Sequence, residues 1–563
     1  MPLITDWLTD PIDGRGVHLA DGPDGGWRYT SYSQLASSAL RIAAALRARG
    51  VTADDVVCVG IPASHTCLAV LFGAWACGAT VSILPPPTPF QPEAQYTAHT
   101  AAILRQAAPV VVVTSPELAG PVRRAAVEAG LPDVLWTPRP AEEPGTLQPP
   151  GTTALLQFTS GSTGVPRAVR VTWSNIDANL GFIQRRVEWS DHDGCASWLP
   201  LHHDMGLIGC LLASVARQTN LWLMRPDQFI RDPARWLALF APGQATLSAA
   251  SSFAFEYAVR RVPQARLATL DLSGMRSTVV GAEMVDATVL DRFARHAEPA
   301  GFTPRGFTPA YGLAEHTLAV SFAAHDEAPR MTRVDWSGLS FGAPAPVLGA
   351  GRLGDVPLEE TGWLVGHGYP PESEGVHIRI LDDAGEPLPV GHVGEIAVSS
   401  PSVAAGYRGA DHEGSTRFVG RELRTGDAGF VHDGELYVLG RMGDSLKLRG
   451  RNVFVEDLDV RVAEATGLPK SGVAAVSMVH SGGQGVALFA EAKDLDWVPR
   501  ARRLLREELG PEPQITIIVG RRGLVARTSS GKPRRRFLWQ QLRAGSLTDV
   551  TIDPDLAPAG TAT

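Results

Sequence analysis

The sequence predicts an α/β fold: a large N-terminal region of layered α/β subdomains, a β-rich subdomain, and a small α+β domain at the C-terminal end. Three observations predict it. Short apolar, β-branched runs alternate with helical patterns from residue 31 to about residue 320, the pattern of a mostly parallel sheet covered on both faces. Strand-like runs then crowd residues 376–440. Finally the composition shifts, because Lys447, Lys470, Lys493 and Lys532 are the only four lysines and all lie beyond residue 440.

The elements follow in order. Residues 31–50 read as an amphipathic helix: Ser31 and Gln34 have capping-box spacing, Leu35, Ala39, Ile42, Ala43 and Leu46 share a face, and Gly50 is a natural stop. "DVVCVGI" (55–61) reads as a buried strand, and "TCLAVLFGAWACGATVSIL" (66–84) as a buried helix and a strand divided at Gly78. Its length equals that of a membrane span, but the division argues for a core, so no membrane span is expected. "PVVVVTS" (109–115) is a further strand, residues 137–153 a Pro/Gly-rich surface connection, and "ALLQF" (154–158) a strand running into a glycine-rich loop. Residues 322–362 show no period. "VHIRILD" (376–382), "GEIAVSS" (394–400) and "GELYVLG" (434–440) form the β-rich part. The expected boundaries are 1–443 for the large region, 444–545 for the small domain and 546–563 for an unstructured tail.

With 563 residues and 44% hydrophobic content, the chain can bury a large core. A net charge of −8 argues against nucleic acid as a partner. The basic run "KPRRRFLWQQLR" is local and fits a solvated helix face. Five cysteines without CxxC spacing fit a reducing compartment, and "MPLITDWLTDPIDGRG" has neither the basic nor the apolar part of a secretory signal, so a cytoplasmic location is expected.

The most informative stretch is "LLQFTSGSTGVPRAV" (155–169). A strand delivers Thr159, Ser160, Gly161, Ser162, Thr163 and Gly164, small residues whose N–H groups and hydroxyls can cradle a polyphosphate. The residue types alone fit an ordinary Ser/Gly turn equally well, and no GxxxxGK[ST] motif is present. "GAGRLG" (349–354) spells GxGxxG but follows "APAPVL" and opens no convincing helix, so a dinucleotide site is not expected there. "HHD" (202–204) has metal-ligand residue types, but neighbouring histidines on a strand would face opposite ways.

Further stretches follow in a fixed order: "SWLPLHHDMGLIG" (197–209), "GAE" (281–283), "YGLAEHTLAVS" (311–321), "VGEIAVSSPSVAAGY" (393–407), "RTGDAGF" (424–430), "GRMGDSLKLRGRN" (440–452) and "RTSSGKPRRR" (527–536). Together with the glycine-rich loop they resemble the adenylate-forming superfamily of acyl-CoA synthetases, luciferases and peptide-synthetase adenylation domains, and most of all its fatty acyl-AMP ligases. The resemblance spans nearly the whole chain. It implies a ligase that joins ATP and a carboxylic acid into an acyl-adenylate with release of pyrophosphate, using Mg²⁺.

The resemblance also implies roles. Lys532 would be the catalytic lysine on a mobile C-terminal domain, a compact ammonium between two anions where a planar guanidinium would be aimed differently. Glu315 would hold Mg²⁺, and His203 would stand beside the acyl carboxylate. Thr159–Gly164 and Arg167 would hold the ATP phosphates; Gly281, Ala282, Glu283, Tyr311 and Gly312 the adenine; Asp427 and Arg441 the ribose; Asp444 would be the hinge. His203, Asp204, Met205, Ser252, Phe253 and His316 would line the acyl pocket.

Several positions depart from the family pattern: Arg167 and Ala168 replace Lys-Gly, Trp173 replaces a histidine, Ser251-Ser252-Phe253 replaces Pro-Asn-aromatic, His202 stands where tyrosine is usual, and His316 replaces a small residue. The pocket wall is therefore altered, and a bulky or aryl acid fits as well as a fatty one. Between Glu315 and Gly366, 51 positions apart, "HDEAPRMTRVDWSGLSFGAPAPV" resembles the fatty acyl-AMP ligase insertion, which disfavours CoA and implies transfer to a carrier-protein phosphopantetheine thiol. Two alternatives remain, an acyl-CoA ligase with a decorated surface and an idle nucleotide-binding protein. Arginine-rich, lysine-poor usage fits a GC-rich bacterial genome and secondary metabolite biosynthesis.

Overall fold

The computed structural model describes residues 2–22, 25–87, 92–159, 166–335, 338–360, 362–409, 416–441, 445–448, 451–480, 483–511, 513–527 and 533–554. Two layered sheets build the large region. The larger runs, edge to edge, through strands Ala319–Phe322, Phe307–Gly312, Ser277–Val280, Leu247–Ala250, Gly194–Ser197, Asn220–Leu223, Gly16–Leu19 and Arg28–Ser31. Its six inner strands are parallel and its two edges antiparallel. The second sheet orders Leu135–Trp136, Val111–Thr114, Val56–Gly60, Thr80–Ile83, Leu155–Thr159 and Arg167–Val171, parallel except for the last pair.

Helices pack between these sheets as the sequence pattern requires. Tyr32–Ala48 starts with a complete Ser31/Gln34 capping box, and Gly50 takes φ +88° just past its end. Its buried stripe meets the helix His65–Ala76, whose Gly73 permits close approach: a Cβ there would sit 2.8 Å from the Ala39 carbonyl oxygen. Gly78, at φ +77°, turns that helix into the strand Thr80–Ile83.

The β-rich subdomain is an antiparallel sheet of His377–Leu381, Gly394–Ser399, Glu422–His432 and Arg417–Val419, with Glu435–Arg441 also paired to Glu422–His432. The small domain has its own core, with helices Val455–Thr466, Val498–Leu509 and Arg535–Arg543 packed on a sheet of Val473–His480, Gly483–Glu491, Gln514–Gly520 and Val550–Pro554.

The structure corrects four expectations. Residues 322–362 are not featureless: Arg330–Val334 is the central strand of an antiparallel sheet with Val347–Arg352 and Trp363–Val365. Glycines and prolines had diluted their alternation. "GAGRLG" falls inside and just after Val347–Arg352 and runs into a turn at 353–355, so a strand is present but it is antiparallel and enters no helix. The unstructured tail does not begin at 546, because Val550–Pro554 adds an edge strand along Gln514–Gly520. His202 and His203 sit in a turn, not on a strand. No helix among the described residues is long and apolar enough to cross a membrane, and all five cysteines are buried and outside disulfides.

Candidate active site

The strand Leu155–Thr159 and its antiparallel return Arg167–Val171 pair Thr159 with Arg167 across the mouth of the glycine-rich loop. Ser160, Gly161, Ser162, Thr163 and Gly164 lie outside the described residues. At the mouth, the buried Thr159 Oγ1 and Arg167 Nε have no hydrogen-bond partner among the described residues. Arg167 is buried. Its Nη2 lies 3.4 Å from Glu315 Oε1, and its guanidinium carbon 4.6 Å from the centre of the Tyr407 ring. Tyr407 donates its hydroxyl to the same Glu315 oxygen at 2.6 Å. Burial, and then Glu315, raise the Tyr407 pKa and keep that proton in place. An isolated bridge between Val169 and Tyr407 brings the tyrosine in.

Glu315 is fixed by a tight turn after Phe307–Gly312. Gly312 is required where the ladder shifts register, since a Cβ would meet the Leu318 carbonyl oxygen at 2.1 Å. Thr317 takes φ +66°, rare for a β-branched residue, and its hydroxyl donates to Ser402 O at 2.7 Å. Asn179 clamps the turn's exit by donating to Ala319 O at 2.9 Å and accepting from Ala319 N at 3.1 Å. The Ala404 N–H holds Glu315 O at 2.9 Å.

Four residues before Glu315, Tyr311 donates to Asp427 Oδ2 at 2.5 Å, while Asp427 Oδ1 faces Arg441 Nε at 2.9 Å. Asp427 and Arg441 are direct partners in the ladder between Glu422–His432 and Glu435–Arg441. Arg441 Nη1 also donates to Thr416 Oγ1 at 2.7 Å and Thr425 O at 3.0 Å. Burial, then the Asp427 charge, push the Tyr311 pKa well above its ordinary value, so it remains a donor.

The "GAE" turn leaves strand Ser277–Val280. A Cβ on Gly281 would lie 2.8 Å from Ala310 O, and Ala282 sits at φ +69°. Glu283 Oε1 accepts from the Phe253 N–H at 3.1 Å, and Ser252 Oγ accepts from the Asp286 N–H at 3.2 Å. The turn is thereby tied to the start of helix Ser252–Arg261. Beyond it rises an aromatic wall: Phe253 stacks on Tyr257 at 5.4 Å, and Trp198 on Phe229 at 4.0 Å.

His203 Nδ1 lies 2.8 Å from Asp204 Oδ1, which also accepts from the Met205 N–H at 2.8 Å and caps the π-helix Met205–Leu212. The His202 carbonyl accepts from Gln157 at 2.9 Å, tying this turn to the strand before the glycine-rich loop. Burial, then the charges of His203 and His99, lower the His202 pKa to about 3, so the ring is neutral. His99, on helix Glu93–Ala107, is itself lowered, by burial first and then by the charge of Arg534 from the small domain. His316 stands apart from the aromatic wall: its buried ring meets Ser400 Oγ at 2.6 Å at the seam with the β-rich subdomain.

Lys532 and Asp444 lie outside the described residues. Arg527 and Pro533, which flank Lys532 in sequence, pair in an isolated antiparallel bridge. Sequence reasoning missed Tyr407, Asn179 and Thr416. Tyr407 ends the quoted stretch "VAAGY", and the need of a buried carboxylate for a donor was the signal available.

The paired strand ends Thr159 and Arg167, the anchored Glu315 and Asp427, and a small domain joined to the large region through Lys470 fit an AMP-binding enzyme. The chain belongs to that family, whose sequence model matches residues 14–408. It is 33% identical over 477 residues to the long-chain-fatty-acid--AMP ligase FadD26 of Mycobacterium marinum, covering 79% of this chain and 78% of that protein. It is 31% identical over 618 aligned positions to the long-chain-fatty-acid--AMP ligase FadD32 of Mycolicibacterium smegmatis, covering 96% of this chain and 94% of that one. A solved structure from work on fatty acyl-adenylate ligases of E. coli and L. pneumophila superposes with a TM-score of 0.85 at 28% identity, over 97% of this chain and 98% of that chain.

Proposed function

We propose that this protein is an acyl-AMP ligase: it joins ATP and a carboxylic acid into an acyl-adenylate, releases pyrophosphate, and passes the acyl group to a carrier-protein phosphopantetheine thiol. The observation that carries the reading is one turn anchoring two carboxylate sites. Tyr311 holds Asp427, and Glu315, four residues on, is held by Arg167 and Tyr407.

In the first half-reaction a carboxylate oxygen attacks the α-phosphorus. A P–O bond forms, the bond to the bridging oxygen of pyrophosphate breaks, and no proton need move. Two anions must meet, so the protein's task is to position them and to stabilise charge. Asp427 would accept from the ribose hydroxyls, with Arg441 fixing its orientation. Gly281, Ala282, Glu283 and Gly312 would border the adenine. Thr159, Ser160, Gly161, Ser162, Thr163, Gly164 and Arg167 would bind phosphate oxygens, and the unpartnered Thr159 Oγ1 and Arg167 Nε suit that task. Among the described residues no three His, Cys, Asp or Glu side chains are grouped to hold a metal ion. A lone buried Glu315 suits Mg²⁺, which takes few protein ligands and shares substrate phosphates. When bound, Mg²⁺ supplies charge neutralisation at the phosphates. Lys532 would come between the carboxylate and the phosphorus, and Asp444 would be the hinge that brings it there. In the second half-reaction a thiolate attacks the acyl carbon, a thioester forms, and AMP leaves.

Phe253, His203, Asp204, Met205 and Ser252 would line the acyl site, with Trp198, Phe229 and Tyr257 behind them. Flat, wide rings suit a fatty chain or an aryl-substituted acid. His316, buried against Ser400, would act on this wall only indirectly. The folded sheet within residues 330–365 supports reading that segment as a built insertion, which favours a carrier protein over free CoA.

The test is acid-dependent exchange of labelled pyrophosphate into ATP over a range of carboxylic acids. Exchange with at least one acid is expected, and thioester formation with that acid should be faster on a holo carrier protein than on CoA. Faster transfer to CoA would replace the acceptor assignment with an acyl-CoA ligase.

A further inference from the structure

Lys470 is one of only four lysines in the chain, and its task is not set by the reaction itself. It opens the short 3₁₀ turn Lys470–Gly472 that leads into the small domain's strand Val473–His480. Its ammonium crosses to the large region, where Nζ lies 3.1 Å from Asp286 Oδ2. The two side chains are 31% and 13% exposed, so the pair is shielded from bulk water without being sealed from it.

Asp286 is fully committed at this place. Oδ1 accepts from the Thr288 and Val289 N–H groups at 3.0 and 3.1 Å and caps helix Ala287–Ala297, leaving Oδ2 for Lys470. Its own N–H donates to Ser252, and Glu283, three residues earlier, accepts from Phe253. The acceptor thus stands on the turn that also anchors the helix bearing the acyl wall.

On the other side, the Lys470 backbone is tied to the base of the segment carrying Lys532. Arg527 Nη2 donates to Lys470 O at 3.4 Å and Nε to Ser471 O at 3.0 Å, and Arg527 pairs in turn with Pro533. The surrounding charges agree with a cation held here. Burial opposes the Lys470 charge, but Asp286, Glu283 and Asp459 override it and raise its pKa. The nearby Glu464 and Arg527 add one charge of each sign.

We infer that the Lys470–Asp286 pair is an inter-lobe latch that positions the small domain for the adenylation half-reaction, registering the "GAE" turn against the segment that carries Lys532. This rests on the acyl-AMP ligase reading. Lys470 is a positioning residue, and the latch must open when the lobe turns for transfer. Its loss therefore slows adenylation and leaves transfer from preformed acyl-adenylate unimpaired. Exposed ion pairs are worth severalfold in an equilibrium and sealed ones hundreds-fold, so about tenfold is expected for this intermediate case.

Three variants test it: Lys470→Met, Asp286→Asn, which keeps the helix cap, and the double variant. Two readouts are needed, the inter-lobe distance distribution from a pair of dyes on the two domains, and the rates of the two half-reactions. The latch requires that each single variant lower the docked fraction and the adenylation rate about tenfold, that the double variant lose no more than either single, and that transfer hold its rate. A distance distribution unchanged by both single variants overturns it, as does an equal fall in both half-reactions. Should Lys470→Met fail to fold, Asp286→Asn decides by the same criteria. If the unsubstituted protein activates no acid, the functional reading fails, and the dye measurement still decides the latch.

Discussion

At the residue scale, the charged groups of the candidate site are placed where they have defined partners. Arg167, Glu315 and Tyr407 form one such group, and Tyr311, Asp427 and Arg441 another. Lys532→Ala removes the one ammonium assigned to the reacting phosphate, and adenylation is expected to fall roughly 10²–10³-fold, measured by pyrophosphate exchange, as for other lost transition-state donors. A second expectation concerns acid. Burial lowers the His367 pKa to about 4, against an unfolded value near 6.5. Between those values the unfolded chain binds a proton that the folded chain refuses, so stability falls as pH drops through the window, by up to about 1.4 kcal/mol per pH unit for this residue. Melting temperatures from pH 7.5 down to 4.5 should slope less steeply in His367→Leu. Short motifs made Glu315, Asp427, Arg441 and Arg167 legible in the sequence. The tyrosine that completes the Glu315 group was not: Tyr407 lies 92 positions from Glu315, and no local pattern links them.

At the element scale, the sequence was most legible where one period held. The helix Tyr32–Ala48 stands where its periodicity and cap put it, and the strands Val56–Gly60, Thr80–Ile83 and Val111–Thr114 where short apolar, β-branched runs put them. It was least legible where small residues diluted the pattern, as in Val347–Arg352 and the "TGDAG" middle of Glu422–His432. Val550–Pro554 is a short, partly exposed edge strand that ends at a proline, so its length concealed it. The π-helix at Met205–Leu212, capped by Asp204, has no sequence signature at all. The helix Trp173–Arg186 carries a testable load, since Asn179 clamps the strand after the Glu315 turn. Asn179→Leu strands buried backbone groups of Ala319, and a loss on the order of 2 kcal/mol is expected in chemical denaturation.

At the scale of the whole molecule, two lobes meet over the site. Lys470 reaches the "GAE" turn of the large region, and Arg527, which donates to the Lys470 carbonyl, pairs with Pro533 on the small domain's side. The lysine distribution and the change in strand pattern were the signals legible in the sequence for a large region and a small domain. The contacts across the lobes were not, because they join segments more than 180 positions apart, as Lys470 and Asp286 do. The central claim, that this assembly joins an acid to AMP, is tested most directly by trapping the product. The enzyme is mixed with ATP, Mg²⁺ and the best acid of an exchange screen, without acceptor, then quenched and analysed by mass spectrometry. The account predicts close to one acyl-adenylate per active site, with pyrophosphate released in equal amount. ADP and phosphate as products, or no adenylate with any acid tested, would contradict it.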